Sequence, residues 1–101
     1  MNHPGRMALN SISTIGHRLA LNLAGEKYRP FIKLYLGWRA VVGDLLAQRS
    51  HPYRYKDGIL YVAVQNNSWL QELVLRKQEI IAKCAQECGE TPKDMMFFIR
   101  A

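Results

Sequence analysis

Tyr53-Arg54-Tyr55-Lys56-Asp57-Gly58-Ile59-Leu60-Tyr61-Val62-Ala63-Val64 is the stretch that decides the fold. Apolar and polar side chains alternate on both sides of Asp57-Gly58, the pattern of strands with one buried face. Asp-Gly between such runs supplies the positive φ that a two-residue hairpin turn requires. That turn fixes a register: Lys56 faces Ile59, Tyr55 faces Leu60, Arg54 faces Tyr61 and Tyr53 faces Val62. Cross-strand partners project to the same side. One face therefore carries Tyr53, Tyr55, Leu60, Val62 and Val64, the better core. The other carries Arg54, Lys56, Ile59, Tyr61, Ala63 and Gln65.

Downstream, Leu70, Leu73, Val74, Ile80, Ile81 and Cys84 mark the buried stripe of a helix over about 68–88. Asn67 or Ser68 is placed to cap it and Gly89 to close it. Thr91-Pro92 then breaks the chain, and Met95-Met96-Phe97-Phe98-Ile99 reads as a last strand. Its alternation sends Phe98 and Arg100 to the basic face. Upstream, a helix is expected over about 30–49, with Pro30 in its first turn. Its broad apolar stripe holds Phe31, Leu34, Tyr35, Trp38, Val41, Val42, Leu45 and Leu46, and Gly43 is expected to admit a close neighbour. Ile12, Ile15, Leu19 and Leu23 give an earlier helix over about 11–24, ended by Gly25; residues 1–10 read as a flexible N-terminus. The order is α-α-β-β-α-β. It predicts an α+β fold, a single domain over 11–101 with helices packed on one face of a three-stranded sheet.

The chain has 101 residues, enough for one core. Its 14 Lys and Arg against 8 Asp and Glu give a formal charge of +6, which favours a polyanionic partner. No apolar run is long enough to span a membrane, and the polar start, Met1 to Arg6, is no signal peptide. Two cysteines in a helical pattern form no disulfide framework, so a cytoplasmic location is expected.

Chemistry-bearing clusters are few. Cys84 and Cys88 lie one helical turn apart, but a structural zinc site needs four ligands and no second pair lies near them in sequence. No metal or other cofactor is expected. Pairs such as His17 with Asp44, or Cys84 with His51, have no spacing that supports catalysis. Glycine-rich phosphate loops and paired carboxylates are absent from the sequence, so no enzymatic activity is expected. Glu72 with Arg76, and Glu79 with Lys83, are i, i+4 pairs on a solvated helix face.

What remains is a basic face carrying rings. Cations hold phosphates and aromatic rings stack bases, the combination used on single-stranded nucleic acid. The candidate contacts are Arg54, Lys56 and Tyr61 on the hairpin, with Lys33, Arg39, Arg49 and Arg100. A rival site is the helical basic set of Lys27, Arg29, Lys33 and Arg39. The plainer alternative is a solvated sheet face, or one covered by the first helix.

Four segments in order resemble the DciA family, bacterial proteins tied to loading of the replicative DNA helicase. They are Trp38-Arg39-Ala40-Val41-Val42-Gly43-Asp44-Leu45-Leu46-Ala47; Ser50-His51-Pro52, read as a short link; Asp57-Gly58-Ile59-Leu60-Tyr61-Val62; and Ser68-Trp69-Leu70-Gln71-Glu72-Leu73. Phe97-Phe98-Ile99-Arg100 is similar to the family's final strand. The resemblance covers about residues 28–100. It implies a KH-like two-layer domain, DNA binding, contact with the replicative helicase and no catalysis. The expected DNA is single-stranded or junction-like rather than a specific duplex sequence. No GxxG loop occurs in the chain, so the backbone clamp of KH domains is not expected. With Ala101 as its last residue, a bare domain without a tail is expected, and the sequence leaves open whether helicase contact is retained without one. A protein-interaction module without nucleic-acid binding is the competing reading.

Overall fold

The computed structural model describes residues 25–100. Helix α1 covers 25–42, followed by α2 (Asp44–Arg49), β1 (Ser50–Lys56), β2 (Ile59–Val64), α3 (Asn67–Leu75), α4 (Lys77–Cys88) and β3 (Asp94–Ile99). The helix expected over 11–24 and the N-terminal end over 1–10 lie outside the described residues.

The strands form one sheet in the order β1-β2-β3. Asp57 and Gly58 both take positive φ, +54° and +80°, and close the antiparallel β1-β2 hairpin. Strands β2 and β3 run parallel. A parallel pair needs a long crossover, which α3 and α4 provide. Leu60, Val62 and Val64 of β2 and Met95 of β3 point to the helices and meet Leu34, Trp38, Leu73, Ile80 and Cys84 in one core. The fold is α+β, with the helices on one face of the sheet.

The structure subdivides both long helices. Helix α1 is already formed at residue 25, so Pro30 lies inside it rather than in its first turn. It stops at Gly43, whose φ of +90° no side-chain-bearing residue adopts easily. A Cβ there would touch nothing within 4 Å, so the glycine serves the bend and not close packing. Close approach occurs at Gly37 instead, where a Cβ would lie 2.5 Å from the Cys88 sulfur. The second long helix breaks at Arg76, at φ −99° and ψ 10°. Asn66, not Asn67 or Ser68, is its cap: the side-chain oxygen accepts from Trp69 N–H at 3.1 Å. Gly89 ends α4 in the left-handed conformation, as its position in the sequence predicts.

Strand β1 begins at Ser50, so Ser50-His51-Pro52 is strand and not link. Trp38 explains the serine. Its indole N–H donates to Ser50 Oγ at 3.1 Å, and that hydroxyl donates to Leu46 C=O at 2.7 Å, all buried. The register matches the expected one from Lys56–Ile59 to Arg54–Tyr61, then slips: Pro52, not Tyr53, faces Val62. Tyr53 is the extra residue of a β-bulge, which shifts the side-chain alternation. Three residues of the expected stripes are exposed where their periodicity implies burial. Val74, Tyr35 and Leu45 are about half exposed.

Candidate nucleic-acid interface

The sheet face turned away from the helices is built by alternation. In β2 it carries Ile59, Tyr61 and Ala63; in β3, Met96 and Phe98; in β1, His51, Arg54 and Lys56. Tyr53 belongs here too, because the bulge turns it from the core. Its ring meets Phe98 edge to face, with centroids 5.3 Å apart. The Arg100 guanidinium lies over the same ring at 4.7 Å. Backbone pairing holds that arginine in place, its N–H donating to Val64 C=O at 2.8 Å. Tyr53 of this pair is 48% exposed and Phe98 half-buried, and Met96 on the same face is 49% exposed. Among the described residues no helix covers this side.

The structure thus brings together Arg54, Lys56, Tyr61 and Arg100. Arg54 and Lys56 are exposed, and Tyr61 is half-buried opposite Arg54. The other candidates lie elsewhere or are already engaged. Lys33 pairs with Glu90 at 3.6 Å. Arg39 pairs with Asp44 at 2.5 Å across the Gly43 bend; the hydrogen bond, then the charge, raises the arginine's pKa and lowers the aspartate's. Arg49 donates to Gln65 Oε1 at 3.1 Å and lies over the Trp69 ring at 5.6 Å. It reaches the rim of the face all the same, lining a shallow hollow with His51, Ala63 and Arg100. Of the rival set, Arg29 is half-buried on α1, with its Nε unpartnered among the described residues. Tyr53 is the residue that sequence reading assigns to the wrong side. The adjacent proline, which cannot donate to a ladder, is the one local sign of irregular pairing.

The cysteines are structural in setting. Cys84 is fully buried and its thiol is pushed up to about 12, first by burial and then by Cys88. Burial, then Glu87 and Glu90, raises Cys88 against an opposing pull from Lys33. Among the described residues no group of three or more His, Cys, Asp or Glu is placed to hold a metal ion. Nor is any described helix long and apolar enough to cross a membrane.

The family model described as "Dna[CI] antecedent, DciA" matches residues 11–97. The chain belongs to the DciA family. Similar proteins include the UPF0232 protein of Mycolicibacterium smegmatis, 34% identical over 53 residues, or 52% of this chain and 27% of the relative. The UPF0232 protein of Mycobacterium tuberculosis H37Rv is 33% identical over 52 residues, 52% of this chain and 28% of its own. That of Rhodococcus jostii is 34% identical over 53 residues, 52% of this chain and 28% of its own. The DciA chain described here therefore matches little more than a quarter of the length of these curated relatives. Its Trp38–Ser50 hydrogen bond and Asp57-Gly58 turn give structural roles to three of the segments through which it resembles the family.

Proposed function

We propose that this chain is a non-catalytic, single-strand nucleic-acid-binding domain that acts in bacterial DNA replication. The observation that carries the reading is the sheet face that no helix covers among the described residues. Arg54, Lys56 and Arg100 supply positive charge beside Tyr53, Tyr61 and Phe98, whose rings can stack bases. Phosphate contacts position a strand without reading its sequence, and no major-groove reading helix is needed for them. Membership in the DciA family supports the replication role, with contact to the replicative helicase, in the cytoplasm. The protein-interaction alternative draws on Leu75, 84% exposed beside half-exposed Val74 at the end of α3.

A titration of labelled single-stranded and duplex DNA at several salt concentrations tests the proposal. Single strands should bind more tightly, and log K should fall linearly with log salt as counterions are released. No binding to either form at low salt would favour the protein-interaction reading.

A further inference from the structure

Helix α1 runs beside the outer edge of β1 and leaves a groove of about 390 Å³, within the ~300–1,000 Å³ of small-molecule sites. Three cations line it, Lys27 from α1 and Arg54 and Lys56 from β1. So do four rings: Tyr28 and Phe31 from the helix, Tyr53 and Tyr55 from the strand. We infer that this groove is a nucleotide subsite that takes one unstacked base between the rings and its phosphate among the cations. The inference rests on the nucleic-acid reading above and adds to it a defined place for a base.

Charge selects this occupant. Among the described residues no acid lines the groove, so an anion is favoured. The chain's own residues 1–24 contain Arg6 and Arg18 and no Asp or Glu, which makes them a poor match for three cations. Rings account for the rest, because a base offers a π-face of any sequence to stack on. Tyr28 is 55% exposed and Lys27 Nζ lies 5.4 Å from its ring centroid, a ring already beside a cation and still open to a ligand. Continuity with the sheet face supports the same occupant. Tyr53 lines the groove and also touches Phe98 and Arg100, so a strand lying on the face can pass over the β1 edge at the bulge.

The test is an anisotropy titration of a labelled 12-nucleotide oligo-dT and of the same oligomer with abasic sites throughout. Parent, Tyr28→Ala, Tyr28→Phe and Tyr61→Ala proteins are compared, each checked by thermal melting. Tyr28→Ala should lose about 5- to 150-fold in affinity for oligo-dT, the fold-change of one base stack. It should bind the abasic oligomer as the parent does, and Tyr28→Phe should keep parental affinity for both. If Tyr61→Ala weakens oligo-dT binding while Tyr28→Ala does not, the subsite is wrong and the nucleic-acid reading stands. A lower melting temperature for Tyr28→Ala with parental affinity would make the groove an internal packing site, which also overturns the subsite. Absence of binding by the parent sinks both.

Discussion

On the helix side of the sheet, Leu60, Val62, Val64 and Met95 are at most 1% exposed. On the other side Tyr53 and Met96 keep about half of their surface, and the side chains meet ring to ring and guanidinium to ring. Both faces belong to the same strands and alternate residue by residue. Close packing holds the first face, so lost volume there leaves a cavity. The second buries Ala63 but, among the described residues, leaves Tyr53 and Met96 open to solvent. A single inserted residue, Tyr53, decides which face gains a ring.

Substitutions that act on one face alone should separate stability from binding. Leu73 is fully buried against the core face, and Leu73→Ala should cost ~2–5 kcal/mol by cavity formation. Urea denaturation should report that loss, with DNA affinity unchanged for the folded fraction. A loss under ~1 kcal/mol, below the range for such truncations, would mean the helix is not the lid of the core.

Much of this contrast is legible in the sequence. Alternation around Asp57-Gly58 predicts the hairpin, its register near the turn, and which of Leu60 and Tyr61 faces the helices. It fails at Tyr53 because a bulge changes the parity of every position beyond it, and a β-bulge has no composition signal as sharp as a turn's. Helix periodicity predicts Leu73 and Cys84 as core but not the breaks at Gly43 and Arg76. A stripe carried through a break looks continuous in sequence, whereas in space the segment beyond it turns its side chains elsewhere; Leu45, just past the break at Gly43, is exposed for that reason. The groove beside β1 draws residues from two elements well separated in the chain, and no spacing rule joins Tyr28 to Tyr53.

A smaller loss is expected at the join between α1 and the sheet. Ser50→Ala leaves the buried Trp38 N–H and Leu46 C=O without their shared partner. It should cost ~1–3 kcal/mol, the penalty of unsatisfied buried groups, measured by thermal melting. Stability unchanged within error would show that water replaces the hydroxyl.

On the open face the effect should fall on binding. Arg54→Ala with Lys56→Ala should weaken single-strand binding for all sequences. The pair should also flatten log K against log salt by about 0.7 for each phosphate left without its cation. Tyr61→Ala should weaken binding with that slope nearly unchanged, because a stacked ring releases few counterions. Weaker binding on substituting Lys27, Arg29, Lys33 and Arg39, with the hairpin pair indifferent, would move the interface to the helices.

A subtler pH effect belongs to the core face. Cys84 has an ordinary value of 9.0 when unfolded and about 12 when folded. Between the two, the unfolded chain releases a proton that the folded chain retains, so stability falls as pH rises from about 9 to about 12. Cys84→Ala should make that decline shallower, and the native thiol should resist alkylation near neutral pH until the protein unfolds. Rapid alkylation of the native protein at Cys84 would show that α4 opens.

The most direct test of the open face is an NMR titration of amide shifts with a short single-stranded DNA. Perturbations should cluster at residues 53–56, 61, 96, 98 and 100, with the amides of Leu73, Ile80 and Cys84 still. Perturbations confined to α2 and α3, or their complete absence at low salt, would contradict the assignment of this face to nucleic acid.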